Sequence, residues 1–321
     1  MRRFSKGVVY PPSSAADRDP LYCEQWAWQR MEAEDAWKRL DGCRELRPVT
    51  VAIVDCGIQS DHEDLNSQMV CGARVIPPDN NDFSDDDGHG TMVAGTIGAI
   101  ASNDRGGRGM IPAARLMAIK FIDVRTPPMS ANAANAIIRA VDKGAQIINA
   151  SWNVGLDSPE LEGAIEYASS RDVLVVVAAG NNGGDNTRYL SFPASYKSDN
   201  LISVLATDRN DQKASFSNYG QNVHIAAPGV DIVSTFPYLC QPPAPPSVSY
   251  NPAYRSYSGT SAAAAHVSGA AALLLSIRPS WTAENVRGHL METVDPIPDL
   301  RHYCRAGGRL NVGRAVKELF A

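Results

Sequence analysis

The sequence predicts an α/β protein in which a mostly parallel sheet is covered by helices on both faces. Short apolar runs rich in β-branched residues, such as PVTVAIVD and VLVVVAA, alternate along the chain with runs of small, helix-forming residues. The apolar runs are continuous, which is typical of parallel strands buried on both faces. The chain has 321 residues, 44% of them hydrophobic, which suits one large domain or two small ones.

The predicted elements follow one another along most of the chain. Strands are expected at residues 48–55, 114–123, 145–152, 173–181, 201–207 and 223–229. Helices are expected at residues 91–100, 130–144, 158–171, 260–277 and 282–291. Parallel sheets bind ligands beyond the carboxyl ends of their strands, and Asp55, Ser151 and Asn181 all occupy such ends.

Composition argues against some classes of protein. Lys and Arg number 30 and Asp and Glu 35, and the resulting net charge of −5 gives no electrostatic support for a nucleic-acid partner. The longest apolar stretches, near 173–179 and 270–275, are too short to span a bilayer. The proline-rich segment 237–252 is predicted to be a surface loop. We expect residues 1–20 to be an N-terminal extension and residues 21–321 to be the domain.

Six cysteines contain no CxxC pair, which argues against a zinc site. Their even number would permit disulfides in an oxidising compartment, and free buried thiols fit the sequence equally well. Cysteine use therefore leaves the compartment open. The protein is expected to be cytoplasmic if Met1 is the native start and secreted if the chain is a mature form.

Three polar segments interrupt the apolar framework. Asp55 ends a strand in VDCGIQSDHEDL, His89 lies between glycines in DDDGHGTMVAGT, and Ser261 begins a helix in SGTSAAAAHVSG. A serine nucleophile needs a general base for its proton and a carboxylate that orients the base. A helix start also offers Ser261 free backbone N–H groups that can hold an oxyanion. Taken alone, each residue is as readily structural, Ser261 for example as a helix cap.

Four motifs resemble those of the subtilisin-like serine proteases, in the order and spacing of that family: VAIVDCGI, GHGTMVAGTI, VVAAGNNG and YSGTSAAAAHVSGAAALLL. The resemblance implies a three-layer, mostly parallel, doubly wound fold and a serine endopeptidase that forms an acyl-enzyme. By that resemblance Asp55 orients His89, His89 is the general base and acid, and Ser261 attacks the peptide carbonyl. Asn181 matches the family's oxyanion-hole asparagine, and Thr260 would support that hole.

The same resemblance implies a cleft that binds a peptide or protein substrate as an added strand. The positions that match its two edges and its specificity pocket are Ser151, Trp152, Asn153, Thr126, Pro127, Pro128, Ala178, Gly180 and Ser191. The prolines cannot donate backbone hydrogen bonds, so we expect narrower tolerance upstream of the cleaved bond. Because the pocket residues are uncharged, an apolar or uncharged residue is expected before the cleaved bond. Asp185 is near enough in sequence to leave that expectation open.

A calcium site is also implied by the resemblance, because ASNDRGGRG matches the loop that wraps the ion in the family. The matching ligands are the side chains of Asp64 and Asn103 and the carbonyls of Ala101, Arg105 and Gly107, with Asp19 or Tyr22 available to complete the set. A weaker cation site is expected near Ala194, Tyr196 and Asp208. The alternative for ASNDRGGRG is a glycine-rich helix stop without a metal.

Some positions depart from the family pattern. Ala262 and Ala265 stand where methionine and proline are usual, and neither change touches the three catalytic positions. Cys56 stands where serine or threonine is common, and we hypothesise that it makes the enzyme sensitive to thiol reagents. We further expect a monomer, in which residues 1–20 could block the cleft.

Two other classes of protein stay open. An α/β-hydrolase esterase would need G-x-S-x-G followed by Asp and His; Asp295 and His302 do follow Ser261, but GTSAA lacks the second glycine. A catalytically inactive member that only binds peptide is opposed by the intact catalytic positions. His62 and His266 lie near the motifs but at no matching position, and we expect both to be structural.

Overall fold

Nine strands form one sheet within the residues that the structure describes, which are 18–41, 46–78, 81–112, 114–124, 128–240 and 252–320. The structure is a computed structural model. The strands are β1 (Val49–Asp55), β2 (Met69–Arg74), β3 (Ala114–Lys120), β4 (Ile147–Ala150), β5 (Leu174–Ala178), β6 (Leu201–Thr207), β7 (Ile225–Pro228), β10 (Asp295–Pro296) and β11 (Gly308–Arg309), with β8 (Ile232–Thr235) and β9 (Tyr254–Tyr257) forming a separate antiparallel hairpin. Across the sheet the order is β10-β11-β7-β6-β5-β4-β1-β3-β2, and all neighbours are parallel except β10 and β11.

Helices cover both faces of this sheet. They are α1 (Trp26–Arg30), α2 (Ala33–Leu40), α3 (His89–Gly98), α4 (Ser130–Asp142), α5 (Pro159–Ser170), α6 (Thr260–Ile277), α7 (Ala283–Glu292) and α8 (Val312–Glu318). Val51 and Ile53 of β1 share a core cluster with α3 and α6, whereas the intervening Ala52 and Val54 share one with α4 and α5. This is the alternation of a strand buried on both faces. The predicted fold class is therefore confirmed.

The central helix is α6, which has no Asp, Glu, Lys or Arg and is buried at every residue except Ile277. Its alanines and glycine allow close packing against β1 and β4–β7. Among the described residues, α6 is also the one helix that is long and apolar enough to cross a membrane, and 94% of it is buried inside the protein. A helix that is apolar all round and covered on all sides behaves as a core helix.

Several short elements have no counterpart in the predictions. The helices α1, α2 and α8 were not expected, nor were β2, the β8–β9 hairpin or the β10–β11 pair. The two-residue strands and the five-residue α1 are too short to produce a hydrophobic period. The sequence analysis missed α2, α8 and β2 although they are longer. The predicted surface loop 237–252 begins with a 3-10 helix at Tyr238–Cys240, and residues 241–251 lie outside the described residues.

The carboxyl ends of β1, β4 and β5 lie side by side at one edge of the sheet, because these three strands are parallel neighbours. Asp55 is the last residue of β1, and Ser151 follows β4 directly. The helices α3 and α6 pack against each other, and their first residues are His89 and Thr260. The fold therefore brings the three polar segments of the sequence toward one edge of the sheet.

Candidate active site

The imidazole ring of His89 contacts the buried carboxylate of Asp55 at this edge of the sheet. The His89 Nδ1 atom lies 2.9 Å from Asp55 Oδ1 and 3.0 Å from Oδ2. Gly90 makes the approach of α3 to β1 feasible, because a Cβ at Gly90 would lie 2.1 Å from the Gly57 carbonyl oxygen. With Nδ1–H donated to the carboxylate, a neutral His89 ring carries its lone pair on Nε2. The side chain of Asp55 is 3% exposed and that of His89 is 30% exposed, so the ring can be reached from solvent.

The loop before His89 is held by Asp85, a residue that the sequence analysis did not single out. The buried Asp85 carboxylate accepts hydrogen bonds from the backbone N–H groups of Gly88 and Thr91, from the Thr91 hydroxyl and from the Cys56 thiol. It thereby fixes the start of α3 relative to the end of β1. The signal was present in the sequence as an acidic residue a few positions before a helix start.

Lys120 is a second residue that the sequence analysis missed. It ends β3 opposite Asp55, is 1% exposed, and donates to the Ser84 carbonyl at 2.8 Å and to Asp86 Oδ1 at 2.6 Å. A buried lysine is costly unless its charge is paired. The pair therefore ties the 84–86 loop to the sheet directly beside the catalytic edge.

Ser261 is the second residue of α6 and is 6% exposed. Its Oγ donates to the Ser151 carbonyl at 3.0 Å, and the Ser151 hydroxyl donates to the Ser261 carbonyl at 3.2 Å. Within the described residues there is no hydrogen bond between Ser261 Oγ and His89, so the expected nucleophile–base contact is not made in this conformation. Such contacts are often long without a substrate, and a turn about one side-chain bond redirects a serine hydroxyl.

Asn181 is held in a single orientation beside Ser261. Its Oδ1 accepts the Thr260 backbone N–H at 2.9 Å and the Thr260 hydroxyl at 2.8 Å. Since a backbone N–H can only donate, this oxygen assignment is fixed by chemistry, and the Asn181 amide NH₂ is left free to donate elsewhere. The Thr260 Oγ1 in turn accepts from the Gly180 N–H at 3.2 Å. The free amide and the free backbone N–H groups at the start of α6 are the donors that an oxyanion requires.

The surrounding charges control the protonation of His89. Burial lowers the pKa of its imidazole, but the Asp55 carboxylate, with smaller contributions from Asp87 and Asp85, more than offsets this and raises the pKa of His89 to about 9. The positively charged form of the His89 ring is thus stabilised. A residue that accepts a proton during the reaction, as we expect of His89, needs this stabilisation.

The residues predicted to form the specificity pocket lie close together, except for the ring of Trp152. Ser191 Oγ donates to Asn153 Oδ1 at 2.8 Å, and a Cβ at Gly180 would lie 3.1 Å from Asn153 Nδ2. The Asn153 amide therefore lies between Gly180 and Ser191, with Ala178 buried at the end of β5. The ring of Trp152 belongs instead to the core: its Nε1 donates to the Val54 carbonyl at 2.8 Å, and it packs on Phe121.

Two further predictions concern residues near the cleft. Thr126 and Pro127 of the second predicted edge lie outside the described residues, and Pro128 of that edge is exposed. Asp185 is occupied in a turn, where it accepts from the Thr187 N–H at 2.9 Å and lies 3.6 Å from Arg188 Nε.

The predicted calcium loop folds around Asp64. This side chain is buried, and its Oδ1 accepts from Asn103 Nδ2 at 2.5 Å. Its Oδ2 has no partner with hydrogen-bond geometry within the described residues, although the nearby Tyr254 hydroxyl offsets part of the rise that burial causes in the pKa of Asp64. A Cβ at Gly106 would lie 2.6 Å from this Oδ2 atom, so the loop encloses it closely. Asp19 accepts from the backbone N–H groups of Ser102 and Asn103 and so closes the loop from the N-terminal side. The described residues hold no cluster of three or more His, Cys, Asp or Glu side chains, so any ion here depends on carbonyl oxygens.

The weaker cation site is not assembled as expected. Ala194 is buried, and Tyr196 directs its hydroxyl to the Ser158 carbonyl at 3.0 Å. Asp208 follows the other end of β6, where its Oδ1 accepts from the N–H groups of a tight turn. A cavity beside Tyr196 is lined by cationic side chains instead.

The remaining motif residues are buried. The Cys56 thiol is 3% exposed, and burial together with the Asp55 and Asp85 carboxylates raises its pKa well above its usual value, which argues against rapid reaction with thiol reagents. His62 contacts the Ala253 carbonyl at 2.8 Å and His266 the Pro228 carbonyl at 2.9 Å, both deep in the protein. Cysteines 23, 56, 71, 240 and 304 are all free thiols.

With this geometry in place, the comparison with known proteins is clear. A sequence profile of the subtilase family matches residues 47–313, and the chain therefore belongs to the subtilase family. The protein is a serine-type endopeptidase, and its substrates are peptides or proteins.

The relatives extend over nearly the whole chain. Thermitase from Thermoactinomyces vulgaris is 36% identical over 300 residues, covering 93% of this chain and 98% of that protein. Subtilisin Savinase from Lederbergia lenta is 36% identical over 293 residues, covering 91% and 98%. A solved protease from Pseudoalteromonas arctica PAMC 21717 matches with a TM-score of 0.81 at 25% identity, covering 94% of this chain and 98% of that one.

Proposed function

We propose that this endopeptidase cleaves peptide bonds through Asp55, His89 and Ser261, with Asn181 in the oxyanion hole. The observation that carries the proposal is the pairing of His89 Nδ1 with the buried Asp55 carboxylate, at the edge where α6 presents Ser261. The esterase alternative lacks such a constellation, because the Asp295 carboxylate is engaged by Arg309 and Asn311.

The mechanism follows from these contacts. The Ser261 hydroxyl leaves the Ser151 carbonyl and turns to His89 Nε2, which takes its proton as Oγ attacks the peptide carbonyl carbon. The Asn181 amide and the Ser261 backbone N–H donate to the oxyanion. The imidazolium, stabilised by Asp55, then gives its proton to the leaving amine, and water hydrolyses the acyl-enzyme by the same route. The test is hydrolysis of a chromogenic peptide by the parent protein and by Ser261→Ala.

The activity is expected to rise with pH up to an alkaline plateau. Only neutral His89 can accept the serine proton, and its pKa is about 9, so kcat/KM should fall about tenfold for each pH unit below that value. The change Asp87→Asn removes one negative charge that favours the imidazolium, and the midpoint of the profile should move to lower pH. Activity at pH 7 should then increase relative to the plateau. The measurement is kcat/KM from pH 5 to 11 at low ionic strength.

The control for this profile is Asp61→Asn, an equal charge change on the exposed turn after β1. It should leave the midpoint unchanged, and high salt should reduce the shift caused by Asp87→Asn. A midpoint near the ordinary histidine value of about 6.5 in the parent would contradict the assigned environment of His89.

The uncharged pocket supports a preference for an uncharged residue before the cleaved bond, and Asn153 restricts its size. The change Asn153→Gly removes the amide that lies between Gly180 and Ser191. We expect the ratio of kcat/KM for a phenylalanine substrate to that for an alanine substrate to rise about tenfold, a size discrimination usual for apolar pockets. The exposed Leu156→Gly in the same segment is the control and should change this ratio little.

Calcium is the ion that best fits the loop around Asp64. The unpartnered Asp64 Oδ2, the Asn103 side chain and the carbonyls of Ala101, Arg105 and Gly107 are hard oxygen donors of the kind that Ca²⁺ prefers. A bound ion would neutralise a buried carboxylate that the protein leaves unpaired and would tie the loop to the segment before β2. Its contribution is structural, and no catalytic step depends on it.

Chelation is therefore expected to lower the Tm of the parent protein by several degrees, and added calcium should restore it. Asp64→Asn removes the ionic ligand, so its Tm should respond little to calcium. In chelator this variant should be at least as stable as the parent, because it no longer buries an unpaired carboxylate. An equal calcium response in both proteins would exclude Asp64 as a ligand.

A further inference from the structure

A small pocket at the amino ends of β6 and β7 is lined by cationic side chains. Its volume is about 230 Å³, and it lies between the segment that precedes β6, the start of β7, the helix α7 and the segment before β11. The residues that line it are Ser195, Tyr196, Lys197, Ser198, Asp199, Asn222, His224, Arg287 and Arg305. Neither the proposed catalytic residues nor the predicted calcium ligands are among them.

The three cations of this pocket form no ion pair within the described residues, although the Asp199 carboxylate also lines the pocket. Within the described residues, the side chains of Lys197, Arg287 and Arg305 make no hydrogen bond or salt bridge, and the Arg287 Nε is buried without any partner. Burial lowers the pKa of Arg287, and the positive charge of Arg305 lowers it further. The carboxylates of Asp199 and Glu284 offset only part of this decrease. Both guanidinium groups line the same small cavity. A half-buried arginine that forms no ion pair destabilises the folded protein, and a bound anion would remove this cost.

His224 adds a neutral donor to the same pocket. Its Nδ1 accepts the Ser203 backbone N–H at 2.9 Å, so the ring proton must be on Nε2. Burial and the nearby Arg287 and Arg305 lower the pKa of His224 to about 3, so the ring stays neutral at ordinary pH. The pocket therefore offers one fixed N–H donor beside the arginines.

The charge and the volume of the pocket indicate which class of ligand fits it. Three cations and the single carboxylate of Asp199 give the lining a net charge of two positive units. Arginine forks and an imidazole N–H are donors that match the oxygens of a tetrahedral anion. The cavity is smaller than the ~300–1,000 Å³ of pockets for drug-sized ligands, which disfavours a nucleotide. We propose that this pocket binds a small oxyanion such as inorganic phosphate, which would join four segments of the fold.

An anion fits the pocket beside Tyr196 better than the cation that the sequence predicted there. A metal ion beside Tyr196 would face Arg287 and Arg305 without a cluster of carboxylates, and Asp208 does not line the pocket. An anion would bridge α7 and the segment before β11 to the Ser195 loop. The Ser195 hydroxyl also accepts the Ser191 N–H at 3.0 Å, so this loop links the oxyanion pocket to the specificity pocket.

The test is isothermal titration of the full chain with inorganic phosphate, together with Tm at constant ionic strength set by chloride. The Ser261→Ala background prevents self-digestion during these measurements. Phosphate should bind saturably and raise the Tm above the value in chloride. Arg287→Gln and Arg305→Gln should each weaken phosphate binding about tenfold or more, since each removes a charge-assisted donor. Without phosphate both variants should be as stable as the parent or more so, because the repulsion is relieved.

The control is Arg115→Gln, an equal charge change on an exposed position of β3, far across the sheet. It should keep the phosphate affinity and the Tm response of the parent. Phosphate can also stabilise proteins by exclusion from their surface, but that effect does not saturate and would be the same in every variant. A response that is linear, or that survives in both pocket variants, would overturn the proposal.

Discussion

Replacing Ser261 by alanine is expected to lower kcat on chromogenic peptides by on the order of 10⁶-fold, the magnitude that the loss of the nucleophile has in subtilisin. The variant loses the oxygen that forms the acyl-enzyme, while the cleft that binds peptide is unchanged. KM should therefore change little. Alanine suits a helix start that is already surrounded by alanines, so the variant should fold. Single-turnover kinetics with an active-site titrant would measure the loss directly.

The matched control for this change is Ser258→Ala, three residues earlier. Ser258 is exposed; its hydroxyl accepts the Asp231 N–H at 2.9 Å and donates to Asp231 Oδ1 at 3.5 Å. This variant should retain the activity of the parent. If Ser261→Ala kept more than a few per cent of the parent's turnover, Ser261 would not be the nucleophile.

Replacing Asn181 by alanine is expected to lower kcat by about 10²–10³-fold with little change in KM, the loss usual for one oxyanion donor. The reason is that the Asn181 amide stabilises charge that exists only in the transition state. Its orientation depends on Thr260, which holds the carbonyl oxygen of the side chain with two hydrogen bonds. Steady-state kinetics on one substrate, with kcat and KM reported separately, measures this effect.

Asn182→Ala is the control for Asn181. Asn182 is the next residue, is also exposed, and is held by its backbone N–H through Asn218. Its side chain is outside the proposed oxyanion hole, so kcat should be nearly unchanged. Equal losses in the two variants would mean that Asn181 acts by shaping the loop rather than by donating to the oxyanion.

The sequence predicted the sheet because continuous apolar runs are a local pattern, whereas the catalytic positions rest on the resemblance of the motifs and stay a prediction. Continuous apolar strands such as β5 and β6 have one environment along their length, and Asp55 marks the point where that environment ends. Asp85 had a local signal, as an acidic residue a few positions before a helix start. The role of Lys120 depends on its contact with the 84–86 loop, which no local pattern encodes.

The direction of individual side chains was the other feature that the sequence did not predict. Trp152 follows a strand at the predicted cleft, and its position in the motif is compatible with a pocket wall. A hydrogen bond to the Val54 carbonyl and contact with Phe121 turn its ring into the core instead. In the same way, the cationic pocket arises from Lys197, Arg287 and Arg305, which are far apart in the chain and meet only in the folded protein.

The burial of α6 has a consequence for how the enzyme loses activity. Ser261 lies in the first turn of a helix that contacts five strands of the sheet and is covered along almost its whole length. Helices of this kind belong to the part of a protein whose amide protons exchange only when the entire structure opens. The proposed nucleophile therefore does not become disordered by local opening, and heat should inactivate the enzyme by global unfolding of the protein.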